Sequence, residues 1–382
     1  MKVNRAISAE VQFEPSRALT GEGIAMDSET KKHSAVQIEH AYYEQFNLFF
    51  SDMLRLLEIG GGESMPFGKW LFRGESSGKY KLIPSALRED ADRTLLQRWG
   101  NYEPRSAGEQ MRQEYYALWE FYKIANEHGL KITGSSSMKN EYLSHAVQQF
   151  GFQDTAYTWL SEEYEELAAL AQHYGIPTRM LDWTSDFFTA LYFASSGALR
   201  KWSKNNDGFD RSDKMVLWVL NGGLIHSMSR EIPLKLVVPP YYDNPNLNAQ
   251  KGVLSYWEIE MPSRKDEDSM LFQGTTLPVD KRPLDVQLQE HDFGYDADHL
   301  NILYRIEIDI TECEFMYGTM NDFGYNAAKL FPGYDGVRRK MEEEAMLRKF
   351  RIWLQEKRCR ECRENAESDS ACTGCESEEA YE

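Results

Sequence analysis

Residues 171–184 read AQHYGIPTRMLDWT, and the chain's architecture turns on how this stretch divides. It is too polar for a core strand and too broken for a helix. Gly175 admits a turn with φ > 0, and Pro177 fixes the next φ. The stretch therefore reads as a helix ending at Tyr174-Gly175, a rigid corner, and a strand starting near Arg179-Met180-Leu181. Thr184, Ser185 and Asp186 are all good N-cap types ahead of the apolar run from Phe187 to Ser196, which has helical spacing.

The helix upstream of this corner is predicted over 157–173, preceded by helices over 138–149 and 106–127 and by an apolar helical pattern from Val36 to Glu58 that Gly60-Gly61-Gly62 ends. Between them lies WLFRGESSGKYKLIPSALR, residues 70–88. Trp70-Leu71-Phe72 is a short strand running into Arg73-Gly74, and Tyr80 to Ile83 reads as a second, stopped by Pro84. Downstream, KMVLWVL (214–220) is the clearest strand. Residues 232–238, 303–310 and the strand-like VLSYWEIE (253–260) follow, then a late helical section over 327–355. Helices early and strands late, without regular alternation, predict an α+β fold. Residues 1–35 are polar and aperiodic and are expected to be a flexible lead-in to a domain over 36–355.

Composition bounds the rest. Hydrophobic residues are 42% of 382, enough for a substantial core, and aromatics reach 13%. The 43 basic and 61 acidic residues give a formal charge of −18, which does not steer the chain as a whole toward nucleic acid or an anionic membrane. No run approaches the ~18 apolar residues of a membrane helix, and the first residues lack the apolar core of a secretory signal. The expectation is a cytoplasmic protein with no membrane partner. No phosphate-binding loop of the G-x-x-x-x-G-K type, G-x-G-x-x-G, H-E-x-x-H or G-x-S-x-G is present.

Several residues can carry chemistry. Arg73, at a strand end beside Gly74, can grip a phosphate or carboxylate bidentately or form a structural ion pair. Asp182 can pair with Arg179 or Arg73, or cap the next helix. His173 sits at a helix end, where the dipole favours a surface histidine. Trp183 reads as core. Gln250, ahead of a strand edge, can hold a ribose hydroxyl or a carboxamide. Glu258 and Glu260 share one face if both lie on a strand. Cys313 stands alone and reads as core. The other four cysteines form Cys359-x2-Cys362 and Cys372-x2-Cys375 in an acidic tail over 356–382, which predicts a structural, all-thiolate, zinc-ribbon-like site.

Taken together, Phe72-Arg73-Gly74, the run Gln172 to Thr184, Ala190-Leu191-Tyr192-Phe193-Ala194, Ala249-Gln250-Lys251-Gly252 and Leu330-Phe331-Pro332-Gly333-Tyr334-Asp335-Gly336 resemble, in order and spacing, the FRG domain family. The chain departs from the family pattern at Asn246, where an arginine is usual, at Val253, where an aromatic is usual, and at Gly333, where an aspartate is usual. The resemblance implies an ADP-ribosyltransferase-like, mostly antiparallel sheet beneath a helical N-terminal section. It implies NAD as substrate, either cleaved or used to transfer its ADP-ribosyl group to a protein or nucleic-acid acceptor, in a bacterial toxin or defence setting. It places Arg73 on the ribose and phosphates, Thr184 or Ser185 at the nicotinamide pocket, and Gln250 where a catalytic glutamate stands in that superfamily. Gly74, His173, Tyr174, Arg179, Asp182 and Ser185 would line the nucleotide site. A glutamine lacks the charge that stabilises an oxocarbenium-like sugar. So the same resemblance leaves open a non-catalytic nucleotide-sensing or protein-interaction module.

Overall fold

In the computed structural model, residues 39–59, 70–89, 93–96, 103–132, 156–204, 212–241, 244–293 and 300–366 are described, with 139 and 210; for 39, 52, 54–59, 93, 264, 271 and 358–366 this covers the backbone alone. The strands are β1 (Glu39–Tyr43), β2 (Trp70–Glu75), β3 (Tyr157–Trp159), β4 (Leu181–Thr184), β5 (Lys214–Asn221), β6 (Leu234–Val237), β7 (Gly252–Trp257), β8 (Ile259–Met261) and β9 (Leu303–Asp309). The helices are α1 (Phe46–Ile59), α2 (Ala107–Glu127), α3 (Glu162–His173), α4 (Phe187–Lys204), α5 (Gly222–Ser227), α6 (Pro245–Gln250), α7 (Arg264–Phe272), α8 (Leu284–Glu290), α9 (Cys313–Asp322), α10 (Ala327–Leu330) and α11 (Tyr334–Ala366).

Seven strands form one sheet in the order β1-β9-β5-β2-β4-β7-β6, and β3 pairs with β8 in a separate two-stranded ladder. Every pairing is antiparallel except β1 with β9. The fold is α+β, with a mostly antiparallel mixed sheet.

Strand alternation sorts the core. Phe72, Met215, Leu217 and Val219 face one side, where α1, α4, α9, α10 and α11 cover them. On that side α2 and α3 pack over Leu254 and Tyr256 of β7. Leu71, Leu181, Trp183, Val216 and Trp218 face the other side, against α5, α8 and the loop carrying Leu82. The run KMVLWVL reads as continuously apolar because β5 is buried on both faces. Helix α4 lies unusually close to β2. A Cβ on Gly74 would stand 1.8 Å from the Ala190 carbonyl oxygen, so this glycine is what lets the helix settle on the strand.

Several expectations are corrected. The apolar pattern from Val36 contains β1 before α1, because Glu39–Tyr43 finds a partner in β9. Tyr80–Ile83 is not a strand; Leu82 is buried from a loop, and its carbonyl takes the Leu284 amide instead of a ladder bond. The helix ahead of Tyr174 starts at Glu162, since Tyr157–Trp159 pairs with β8. Glu258 lies between β7 and β8, so it and Glu260 do not share one continuous strand. Strands are interleaved with helices along the chain rather than gathered late. The expected helix over 138–149 and the lead-in over 1–35 fall outside the described residues, Lys139 excepted.

Candidate functional site at a split in the sheet

β2 pairs with β5 along its whole length, from Trp70 opposite Asn221 to Glu75 opposite Val216. Its register with β4 is a single pair, Phe72 opposite Thr184, whereas β4 pairs with β7 from Leu181 to Thr184. Past Phe72 the sheet therefore splits between β2 and β4. Arg73 spans the split: its Nη1 donates to the Asp182 carbonyl oxygen at 2.8 Å, and its Nε donates to Glu75 Oε1 at 2.7 Å. The Asp182 carboxylate lies 4.0 Å from Nη1, with the Arg73 side chain 16% exposed and that of Asp182 70% exposed. Nη2 has no hydrogen-bond partner among the described residues. Burial works against the Arg73 charge, but Glu75 and Asp182 outweigh it and hold the guanidinium above its ordinary pKa.

The quoted corner sets the far wall. Gly175 adopts φ 88°, the left-handed region that closes α3. Gln172, one turn earlier, accepts from the Thr178 hydroxyl with Oε1 and donates from Nε2 to Asp182 Oδ1 at 2.6 Å. That single amide ties the helix end, the corner and β4 together. His173 is half-buried beside it; burial pushes its imidazole below the ordinary value, against the pull of Asp182. Tyr174 is exposed, its ring stacked 6.5 Å from Phe121.

Other expected site residues are engaged inside the protein. Thr184 is buried: its hydroxyl donates to the Gln250 carbonyl oxygen at 2.6 Å and accepts the Asp186 amide at 2.9 Å. The Gln250 Nε2 donates to the Leu330 carbonyl oxygen at 3.0 Å, which fastens α6 to α10. The Ser185 amide donates to the Lys251 carbonyl oxygen. Asp186 is the helix cap, accepting the Phe188 and Thr189 amides on Oδ1, while Oδ2 meets Lys251 Nζ and the Tyr325 hydroxyl, each at 3.1 Å. Burial, with Asp186 beside it, raises the Tyr325 hydroxyl to about 12. Arg179 is buried and bidentate on Glu114, Nε to Oε2 at 2.6 Å and Nη2 to Oε1 at 2.9 Å.

Arg73, Asp182, Gln172 and His173 thus converge on the split, and Thr184 with Gln250 form a neighbouring contact. Thr184 and Gln250 are committed to partners within the protein, Asp186 and Leu330 among them, and neither hydrogen-bonds Arg73 among the described residues. Two contributors escaped the sequence reading. Glu75 was legible, since residues two apart on a strand share a face. Glu114 was not, because nothing local links it to Arg179 65 positions on.

Cys359 and Cys362 fall in α11; Cys372 and Cys375 lie outside the described residues. Cys313 is buried, as expected. Among the described residues, no group of three or more His, Cys, Asp or Glu side chains is placed to hold a metal. No helix there is long and apolar enough to cross a membrane.

Fold and site define an α+β protein with an arginine anchored across a split in one mixed sheet. The chain carries an FRG domain: the model of that family matches residues 68–202, from the residues just before β2 nearly to the end of α4. Gln250 and the Leu330–Gly336 segment lie beyond the match. No curated protein and no solved structure matched the chain.

Proposed function

We propose that this FRG domain binds a nucleotide diphosphate, NAD first among candidates, at the split between β2 and β4, with Arg73 as the phosphate anchor. The observation that carries this reading is the unpartnered Nη2 of Arg73 at the place where the two strands part. A guanidinium edge of this kind suits a phosphate oxygen. Cleavage of the nicotinamide–ribose bond sends the bonding electrons to the leaving ring and leaves positive charge on the sugar, which a water or an acceptor nucleophile then attacks. Gln250 carries no charge for that task and its amide is held by Leu330. The exposed Asp182 carboxylate beside Arg73 is the acid in reach.

One observation favours the second, non-catalytic reading: Asp182 Oδ1 already accepts from Gln172, and the Thr184 hydroxyl proton is committed to Gln250. Calorimetry with NAD and a nicotinamide-release assay separate the two. We expect binding by the wild type that weakens roughly 10–100-fold in Arg73→Ala, as for a lost charge-assisted bond of about 1.5–3 kcal/mol. We expect release that falls about 10²–10³-fold in Asp182→Asn, the size of one lost electrostatic contribution. Binding without release leaves the sensing module; equal NAD binding by Arg73→Ala and wild type rejects the site.

The tail is proposed as a separate structural zinc site. Its paired x2 spacing suits four thiolates, which would leave no open position for catalysis. Elemental analysis should find about one zinc per chain, lost in Cys359→Ser together with Cys375→Ser.

A further inference from the structure

Beside the split, on the Leu71 side of the sheet, lies a cavity of about 940 Å³. That is the upper end of the range typical of small-molecule sites. Its walls are largely apolar, with Leu82, Leu181, Ile232, Leu234 and Leu284 among them. Four buried polar side chains also line it, Gln110, Arg179, Ser255 and Gln287, and the first two matter here. They are neighbours, since both donate to Glu114 Oε1, Gln110 Nε2 at 2.8 Å and Arg179 Nη2 at 2.9 Å.

Each of these residues keeps one unused valence. Gln110 is 1% exposed, and its Nε2 is committed to Glu114 and the Ala86 carbonyl, which leaves Oε1 as a buried acceptor with no partner. Arg179 uses Nε and Nη2 on Glu114, and among the described residues Nη1 has no hydrogen-bond partner. Buried polar atoms are nearly always satisfied, so the vacant acceptor of Gln110, on the same Glu114 carboxylate that holds Arg179, calls for a donor. Beside Gln110 the charge is already balanced, since Glu114 neutralises Arg179; at the margin Glu258 meets Lys235 at 3.5 Å and Asp280 meets Arg282 at 2.6 Å, and Arg230 and Glu260 lie exposed. An anion would add an uncompensated charge to an apolar chamber.

We propose that this cavity is a second binding site, distinct from the Arg73 split, for a neutral ring carrying a cyclic amide edge, such as that of a nucleobase. The ring carbonyl accepts from Arg179 Nη1, the adjacent ring N–H donates to Gln110 Oε1, and the ring body packs on the aliphatic walls. The inference does not depend on NAD binding.

The test is calorimetry on the full chain with uridine and guanosine, each against its ring-N-methylated counterpart, 3-methyluridine and 1-methylguanosine. Methylation removes the N–H and leaves the rest of the molecule. We expect saturable binding of at least one parent nucleoside, weakened tenfold or more by methylation. Leu277→Trp, at the partly exposed mouth of the cavity, should weaken it at least tenfold with the fold retained by circular dichroism. Gln110→Met should weaken the parent nucleoside and abolish the discrimination against the methylated one. Arg73→Ala should leave the binding unchanged, even where it removes NAD binding. Absence of binding by both nucleosides overturns the proposal. So does equal binding of the methylated pair, indifference to Leu277→Trp, or loss of the binding in Arg73→Ala.

Discussion

Arg73, within β2, and Arg179, two residues ahead of the neighbouring β4, both belong to diagnostic stretches of the sequence, yet the protein uses them in opposite ways. Arg179 is met by a carboxylate from α2, a helix packed over it. Both side chains are almost sealed, at 6% and 4% exposure, and Glu114 is further held by the Trp159 indole at 2.8 Å. Arg73 is met by Glu75 from its own strand and by the rim of β4, and it keeps an edge free. An arginine whose partner arrives on a packed helix becomes part of the core. One whose partners lie in its own sheet stays within reach of a ligand. Removing one member of a sealed ion pair strands the other charge, whereas a rim pair contributes about 0–1 kcal/mol.

The largest effect should therefore come from Arg179. Arg179→Ala is expected to cost about 3–5 kcal/mol in denaturant unfolding, because it leaves the Glu114 carboxylate buried and unpaired. The double variant Arg179→Met with Glu114→Leu should recover much of that loss. An Arg179→Ala protein as stable as wild type would erase the contrast between the two arginines.

Next is Gly74, the neighbour of Arg73. Gly74→Ala drives a methyl group into the Ala190 carbonyl, and α4 must lift from β2. Roughly 1–3 kcal/mol of stability should be lost, the usual scale of overpacking. NAD binding should fall with it, because the strand that aims Arg73 shifts. A neutral Gly74→Ala would show that α4 is not seated as described.

How far these roles were legible follows from the range of the interactions. The helix end at Tyr174-Gly175, the corner and the strand Leu181–Thr184 rest on local backbone preferences, and the structure has all three. The buried strand over 214–221 announced itself by being apolar on both faces. What failed needed a distant partner. β1 exists because β9 lies beside it, and β3 because β8 does. Likewise Thr184 and Gln250 were sensible pocket residues by type, but a hydroxyl and an amide are equally suited to closing the protein on itself. Their orientation depends on Asp186 and Leu330, which no local pattern connects to them.

The smallest predicted effect concerns pH and sits at the far end of the Arg73 strand. The loop leaving β2 is fastened by Asp213, which accepts the Ser77 hydroxyl and the amides of Gly78 and Lys214, the last two at 3.0 Å, and pairs with Lys201 Nζ at 3.2 Å. Burial pushes the Asp213 carboxyl up, but the hydrogen bonds from Ser77 and Lys201 prevail and hold it below the usual carboxylate range. A depressed folded value means that the unfolded chain binds the proton first. The stabilisation is then fully present above the ordinary carboxylate pKa and is lost as pH falls through the folded value. Asp213→Asn should accordingly be less stable than wild type at neutral pH, by about 1 kcal/mol as for a modest hydrogen-bond loss. The gap should close as the pH is lowered past the carboxylate range in parallel denaturant titrations. A gap of constant size at every pH would mean that Asp213 holds the loop by shape rather than by charge, and acid would then offer no means of loosening the Arg73 side of the split.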